Sequence, residues 1–251
     1  MILVLAFFWL IACAPILVFP IFDTSQELRF NYSLMAQIVA PFVATFCCYY
    51  ASSGFTRTGS IRKVLILIGT GLMCWGSGAI LYAMYPLLND GRETPFPWYS
   101  DIGYLLLVPF MLAALSIFKK SLNIEIPLFA KLSGIIFFLM ALTVSIYINL
   151  SKLSDANSAV SYIAVLCYVL GDPLLLTSTI VSMSVLTGDF VRSWWLIFLG
   201  LICYYLGDLV YNYLALLGEY RTGHPIDITW PLGFGFIAVA ALMMGSAPKR
   251  A

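Results

Sequence analysis

Residues 191–217 read VRSWWLIFLGLICYYLGDLVYNYLALL, and this stretch decides the class of fold. Its only charged residues are Arg192 and Asp208. An α helix rises about 1.5 Å per residue, so about 20 apolar residues cross the roughly 30 Å of hydrocarbon in a bilayer. The stretch therefore predicts a membrane-spanning helix with one carboxyl group in its interior.

Seven other stretches have the same apolar character and are joined by short loops. The eight predicted spans are 2–21, 31–52, 62–86, 98–118, 127–149, 157–187, 191–217 and 226–246. The composition agrees, because 62% of the residues are hydrophobic and 10% are charged, against about 25% charged in soluble domains. We predict an all-α integral membrane protein whose eight transmembrane helices form a single domain, residues 1–251. The first stretch does not begin with Lys or Arg, so we expect a retained helix rather than a signal peptide.

Three short similarities each join one span to the span four positions later. The pairs are 101–106 with 227–232, 78–82 with 207–211, and 41–45 with 173–177. All three pairs occur in the same order along the chain. We therefore predict two four-helix repeats, residues 1–121 and 122–251, in parallel orientation about an axis along the membrane normal.

The basic residues are unequally divided between the two sides of the membrane. Nine lie on one side: Arg57, Arg62, Lys63, Lys119, Lys120, Lys131, Arg192, Lys249 and Arg250. Four lie on the other: Arg29, Arg92, Lys152 and Arg221. Loops rich in Lys and Arg remain in the cytoplasm. The pattern predicts a multi-pass cell-membrane protein with cytoplasmic N- and C-termini.

Several classes of function are disfavoured by the sequence. The net charge is +1 and no basic stripe is present, so we expect no nucleic-acid partner. The six cysteines lie in apolar runs without a CxxC pair, and His224 is the only histidine, so we expect neither a metal site nor a cofactor. No HExxH or GxSxG motif occurs, and we predict a protein that is not an enzyme.

Four carboxylates in or beside the spans are the candidate functional groups, because a charge in hydrocarbon costs at least about 2.5–3.5 kcal/mol. Asp172 and Asp208 lie in the interiors of spans six and seven, where hydrogen bonding to a neighbouring Tyr or Ser is the structural alternative. Asp101 and Asp227 begin spans four and eight, where capping of the helix is the alternative. Every basic residue falls in a loop or near a span end, so we expect no buried Lys or Arg as a partner. Proton or cation sensitivity is then favoured over anion binding.

Aromatic side chains lie at the same level as these carboxylates. Tyr104, Tyr211 and Trp230 are close to them in sequence, and Asp208 and Tyr211 are three apart on one helical face. A belt of Trp and Tyr at the membrane interface is the structural alternative. The predicted ligand or cation pocket, open to the outside between the two halves, consists of Asp101, Tyr104, Asp172, Asp208, Tyr211, Asp227 and Trp230.

Three motifs resemble those of a known family. Residues 97–105 (PWYSDIGYL), 168–176 (YVLGDPLLL) and 207–211 (GDLVY), the last followed by Gly218, Tyr220, Gly223, Asp227, Trp230 and Gly233, are similar to motifs of multi-pass membrane sensory regions. In bacteria and some archaea such regions precede diguanylate cyclase and histidine kinase domains. Trp98 and Ser100 depart from the family pattern, in which Ser and Ala stand at those positions.

The resemblance implies a sensory module. The sequence ends at Ala251, soon after the last predicted span, so we expect either a piece of a longer chain or a sensor that works through a separate cytoplasmic or membrane partner. The lipid bilayer is the surrounding partner, and a homo-oligomer is compatible with the sequence. Two alternatives remain: a proton- or cation-coupled transporter or channel, and an accessory subunit of a larger membrane complex.

Overall fold

The computed structural model describes residues 2–89, 92, 94–122, 125–154, 156–184 and 191–246. These residues form eight α helices, with one 3-10 turn, Pro225–Ile228, before the last. The helices are α1 (Ile2–Ile21), α2 (Gln26–Ser53), α3 (Ser60–Leu88), α4 (Tyr99–Leu122), α5 (Leu128–Ser154), α6 (Ala159–Met183), α7 (Val191–Leu216) and α8 (Thr229–Ser246).

Eight helices, the last counted together with the 3-10 turn, are long and apolar enough to cross a membrane, which confirms the predicted all-α, multi-pass class. One difference in bounds matters for function. The fifth span was predicted to end at residue 149, but α5 continues to Ser154. The additional turn is polar in sequence and is held against α7, where Lys152 donates a hydrogen bond to Asn212.

Helices α3 and α8 form the centre of the bundle. Helix α3 packs between α2 and α4, whereas α8 packs against α7, α2 and α1. Helix α6 contacts α4, α5 and α7. It therefore connects α4, in the first half of the sequence, to α5 and α7, in the second half. The odd-numbered helices end, and the even-numbered helices begin, on one side of the bundle, which we call the pocket side.

Glycines allow the central helices to approach closely. A Cβ atom on Gly103 of α4 would lie 2.6 Å from the carbonyl oxygen of Cys74 and 2.7 Å from the Cα atom of Gly78, both on α3. A Cβ atom on Gly233 of α8 would lie 2.7 Å from the carbonyl oxygen of Gly200 on α7. These contacts are with backbone atoms, so a larger residue would force the helices apart.

The outer surface of the bundle is apolar. Helix α1 exposes Leu3 and Phe7, and α5 exposes Phe129 and Ile136. The exposed fraction of Leu3 reaches 84%. Contiguous apolar surface of this extent is rare on soluble monomers, whereas lipid chains solvate it without penalty. Helices α1 and α5 therefore lie at the lipid-facing edge.

Candidate functional site

A cavity of about 140 Å³ lies on the pocket side, between helices α2–α4 and helices α5–α8. Its wall contains an ammonium group, two carboxylates and many aromatic rings. The lining residues are Gln37, Trp75, Tyr82, Thr94, Pro95, Phe96, Ser100, Asp101, Tyr104, Asn149, Lys152, Val165, Tyr168, Tyr204, Asp208, Tyr211, Asn212, Tyr220 and Trp230. The lining includes loop residues 94–96 and extends along α7 to Tyr204, about 18 Å from the pocket-side end of that helix.

Asp101 lies in the first turn of α4 and joins that helix to α6. Its Oδ2 atom accepts a hydrogen bond from the backbone N–H of Trp98 at 2.7 Å. Its Oδ1 atom accepts one from the Tyr168 hydroxyl, also at 2.7 Å. The first bond is the helix-capping contact considered from the sequence, and the second connects Asp101 to the cavity wall. Asp101 therefore both stabilises the start of α4 and lines the site.

Asp208 of α7 lines the cavity. Its Oδ1 atom accepts a hydrogen bond from the Trp230 indole N–H at 2.8 Å, and the Tyr204 side chain lies near the carboxylate. The Trp230 bond joins α7 to α8. The Trp230 N–H and the nearby Lys152 ammonium group favour the ionised form of Asp208.

Asp172 of α6 lies behind Asp208, away from the main cavity. The two carboxyl groups are close enough to interact directly, and two adjacent ionised carboxylates would repel each other, so we place one proton on the pair. Asp208 accepts the Trp230 hydrogen bond and lies near Lys152, so we assign the proton to Asp172. A small void of about 10 Å³, also lined by Ser145 and Asn149, adjoins the pair. This volume is close to the minimum for one water molecule.

Lys152 corrects the expectation that no buried Lys or Arg is available as a partner for the carboxylates. It lies near a span end, as expected, but it is half-buried there, in the last turn of α5. Its ammonium group lines the cavity and donates a hydrogen bond to Oδ1 of Asn212. It also lies 5.6 Å from the ring centroids of both Phe96 and Tyr211, within the range of a cation–π interaction. The side chain reaches the cavity because α5 is one turn longer than predicted. The reason for favouring cations over anions therefore no longer holds.

The charges in the cavity are close without being neutralised in pairs. Lys152 is near enough to Asp101 and Asp208 for electrostatic attraction. Within the part of the chain that the structure describes, however, it forms no ion pair with either carboxylate. An ammonium group has three N–H donors, and the described contacts use one of them. The remaining donors lie beside the cavity.

Two tyrosine hydroxyls also lack a protein acceptor among the described residues. Tyr104 packs its ring against Trp75, with the centroids 5.0 Å apart. Tyr211 packs against Tyr220, with the centroids 4.6 Å apart. Neither hydroxyl forms a hydrogen bond with a described residue. Both rings are therefore fixed by packing, and their O–H groups remain available at the cavity wall.

Asp227 lies outside the cavity and has a different role from the one predicted. Its Oδ2 atom accepts hydrogen bonds from the Ser33 hydroxyl at 2.6 Å and from the backbone N–H of Gly223 at 2.8 Å, and its Oδ1 atom accepts one from the Tyr220 hydroxyl at 3.0 Å. Its exposed fraction is 0%. None of these donors belongs to the first turn of α8, so Asp227 fastens the α7–α8 loop to α2 rather than capping α8.

The loop that Asp227 fastens forms part of the cavity wall through Tyr220. Burial raises the pKa of the Tyr220 hydroxyl well above its usual range, because the phenolate would lose its hydration. The hydroxyl therefore remains protonated and continues to donate to Asp227. Gly223 has a φ of +96°, a conformation that glycine adopts without steric cost, and this turn directs its N–H toward the carboxylate.

The structure brings five of the seven predicted site residues together. Asp101, Tyr104, Asp208, Tyr211 and Trp230 all line the cavity. Asp172 is reached through Asp208, and Asp227 supports the wall from behind.

Sequence reasoning missed most of the polar residues that line the cavity, among them Lys152, Tyr168, Tyr204 and Asn212. A signal existed for two of them. Tyr168 precedes Asp172 by one helical turn, and Lys152 is a basic residue on the acid-rich side of the membrane.

Aromatic rings line a space that also contains an ammonium group, two carboxylates and two tyrosine hydroxyls without an acceptor among the described residues. No group of three or more His, Cys, Asp or Glu side chains that could hold a metal ion occurs among the residues described. Fold and site define a polytopic helical membrane protein with a polar, aromatic-lined cavity. No family model, curated protein or solved structure matches this chain.

Proposed function

We propose that the protein is a non-enzymatic membrane sensor that binds a small molecule in the cavity. The observation that carries this proposal is the ammonium group of Lys152, which lines the cavity with one hydrogen bond to Asn212 and two aromatic rings beside it. Lys152 is half-buried, and holding a charge partly out of water without full hydrogen bonding is costly. A bound molecule with an acceptor group removes that cost and gives the arrangement a purpose.

Protein donors fix the two carboxylates of the cavity. Both oxygens of Asp101 accept hydrogen bonds from the protein, and Asp208 accepts one from the Trp230 indole. The lone pairs that remain can accept hydrogen bonds from a guest. The carboxylates are arranged to fix the positions of helices and rings, which suits a receptor.

Two helices provide a route for the signal. Helix α4 carries Asp101 at the cavity and Phe118 near its other end, and α7 carries Asp208 and Trp194 in the corresponding places. The rings of Phe118 and Trp194 lie 4.1 Å apart, centroid to centroid, and both are fully buried. A guest that moves α4 relative to α7 would repack this contact, and a partner on the side opposite the cavity would detect the change.

The orientation of the protein in the membrane follows from the unequal distribution of its basic residues. Of the four basic residues that the sequence assigns to the pocket side, Lys152 lies in the cavity wall, which leaves three, Arg29 in the first turn of α2 and Arg92 and Arg221 between helices. The opposite side has nine. We therefore place the pocket side outside the cytoplasm and both termini in the cytoplasm, so that the cavity receives molecules from outside the cell.

The two-repeat arrangement is part of the same proposal, and the glycine contacts support it. A Cβ atom on Gly78 would meet the carbonyl oxygen of Ser100, and one on Gly207 would meet the side chain of Thr229. The two pairs are related by the same shift of 129 residues along the sequence. The helix contacts also match, since α2 packs against α8 and its counterpart α6 packs against α4. The cavity would then lie on the axis between the repeats.

A proton-coupled transporter is the second candidate, and the Asp172–Asp208 pair favours it. A proton shared between two carboxyls inside membrane-spanning helices resembles the relays of pumps and transporters. The small void beside the pair provides room for about one water on the route inward. Proton flux in proteoliposomes that disappears in both Asp172→Asn and Asp208→Asn would favour transport over sensing.

Purification from native membranes tests the binding proposal. We expect a small molecule to co-purify with the protein and to be depleted in Lys152→Met, which removes the charge and keeps the length of the side chain. Lys131→Met is the matched control, because Lys131 lies on the same helix but is exposed at its other end. Extraction followed by mass spectrometry provides the measurement. If the wild type and both variants carry the same background molecules, the cavity is not a binding site.

A further inference from the structure

The described residues of the cavity wall carry charges of both signs that form no ion pair with each other. Lys152 approaches from α5, Asp208 from α7 and Asp101 from α4. Building on the proposed binding function, we infer that the guest is a small zwitterion of the amino-acid or betaine type, with a carboxylate and an ammonium group in one molecule. Its carboxylate faces Lys152, and its ammonium group faces Asp101 and Asp208.

The donors that lack partners define the end that binds the carboxylate. Lys152 lies near the ring of Tyr211, at 5.6 Å from its centroid, so its ammonium group and the Tyr211 hydroxyl belong to one region of the wall. Tyr104 contributes another hydroxyl without a described acceptor. A carboxylate offers about four lone-pair positions. One such group therefore accepts hydrogen bonds from Lys152 and from both tyrosines.

The carboxylates and rings define the end that binds the ammonium group. Asp101 accepts two hydrogen bonds from the protein, which leaves about two of its lone-pair positions for a guest. The rings of Trp75, Tyr104 and Trp230 line the same cavity. Aromatic faces together with a carboxylate attract organic cations, both primary and quaternary ammonium groups.

The charge balance excludes simpler guests. With Asp101 and Asp208 ionised, Asp172 protonated and Lys152 charged, the described residues of the wall have one excess negative charge. An anion alone would increase that excess in a medium of low dielectric constant. A cation alone would leave two of the three Lys152 donors and both tyrosine hydroxyls without an acceptor among the described residues. A zwitterion adds no net charge and supplies a partner to both sets of groups.

The size of the cavity limits the guest. An engineered cavity of about 150 Å³ accommodates benzene, and the cavity here measures about 140 Å³. A guest of roughly six to ten non-hydrogen atoms fits such a space. Small aliphatic amino acids and short betaines meet this limit, whereas nucleotides and most sugars exceed it.

Four probes of matched shape test this inference on the full chain in lipid nanodiscs. L-alanine and glycine betaine contain both charges, propionate lacks the ammonium group of alanine, and ethylamine lacks its carboxylate. We expect L-alanine, glycine betaine or both to raise the thermal unfolding temperature, as a ligand of the native state does. Propionate and ethylamine should bind at least about tenfold more weakly, because each leaves one set of buried groups unpaired.

Two variants assign the ends of the guest. Lys152→Met should abolish the rise in unfolding temperature that the zwitterions cause, whereas the effect of ethylamine should persist. Lys131→Met should leave the effect of every probe unchanged. Asp101→Asn should weaken the binding of L-alanine more than that of glycine betaine. A quaternary ammonium group donates no N–H hydrogen bond and relies on the aromatic rings instead.

The possible outcomes distinguish a wrong class of guest from a failure of the proposed binding function. If propionate or ethylamine binds as tightly as the zwitterions, or if the molecule that co-purifies is not a zwitterion, the inferred class is wrong and the cavity remains a binding site. If none of the four probes shifts the unfolding temperature, the inferred class is likewise wrong. If, in addition, nothing co-purifies with the protein, the proposed function fails with it.

Discussion

Asp172 and Asp208 lie on different helices and face each other closely in the membrane-spanning part of the bundle. Two adjacent ionised carboxylates would repel each other, so we place one proton on the pair. Asp208 also accepts a hydrogen bond from Trp230 and lies near Tyr204 and Lys152. Asp172 has none of these donors. The pair therefore consists of a protonated donor on α6 and an ionised acceptor on α7.

This assignment predicts unequal effects for two isosteric substitutions. Asp172→Asn keeps a neutral side chain with an N–H donor toward Asp208, and we expect the free energy of unfolding to change by less than about 1 kcal/mol. Asp208→Asn removes the charge that Trp230, Tyr204 and Lys152 face, and we expect a loss of about 2–3 kcal/mol. Reversible unfolding in mixed micelles measures both variants. Equal losses would contradict the placement of the proton on Asp172.

The indole N–H of Trp230 should add stability beyond that provided by the packing of its ring. Trp230→Phe keeps an aromatic ring and removes the donor to Asp208, and we expect a loss of about 1.5–3 kcal/mol, as for a hydrogen bond to a charged group. Trp195→Phe is the control, because Trp195 is 51% exposed on the outer surface. Chemical or thermal unfolding of the two variants makes the comparison. Similar losses would show that the N–H contributes nothing beyond ring packing.

The close approach of α3 and α4 at Gly103 predicts a steric effect. A Cβ atom there would meet backbone atoms of Cys74 and Gly78 at 2.6–2.7 Å, and backbone cannot move as a side chain can. We expect Gly103→Ala to lower the free energy of unfolding by about 1–3 kcal/mol. Gly171→Ala should have a smaller effect, because its nearest neighbour is a side-chain methyl of Val108 at 3.3 Å. Full tolerance of Gly103→Ala would show that the helices are further apart.

The contact between Tyr220 and Asp227 predicts a dependence on pH. Because burial raises the pKa of Tyr220, the native protein keeps this proton after the unfolded chain has lost it at about pH 10. Above that pH the unfolded state binds fewer protons, so the stabilisation by Tyr220 decreases as pH rises. We expect Tyr220→Phe to be less stable than the wild type by about 1.5–3 kcal/mol at neutral pH. The difference in the free energy of unfolding between the wild type and Tyr220→Phe should become smaller above about pH 10.

Unfolding measured in parallel for the wild type and Tyr220→Phe between neutral pH and about pH 11 provides the test. Other groups titrate in both proteins and cancel in the difference. A difference that stays constant, or widens, as pH rises would contradict the buried hydrogen bond from Tyr220 to Asp227.

The class of fold could be predicted from the sequence because hydropathy and length define a membrane span locally. The end of α5 could not, since Ser151 and Lys152 are polar and hydropathy placed the boundary before them. In the structure this turn is helical and Lys152 bonds to Asn212 of α7, a contact between distant parts of the sequence. Tertiary contacts of this kind are absent from any local window.

The candidate site was predictable to the extent that buried charge is costly anywhere along the chain. That rule identified Asp101 and Asp208, which line the cavity. It could not distinguish them from Asp227, because the difference depends on which helix each carboxylate faces. Asp227 faces Ser33 of α2, which is 194 residues away in sequence. The packing of α2 against α8 decides its role, and a single sequence does not contain that information.

The most direct measurement is an experimental density map of the protein purified from native membranes, compared with that of Lys152→Met. We predict density for a small molecule in contact with the Lys152 ammonium group, between α4, α5 and α7, and its loss in the variant. A map in which Lys152 extends into bulk water and the helices close the space beside Asp101 and Asp208 would contradict the account.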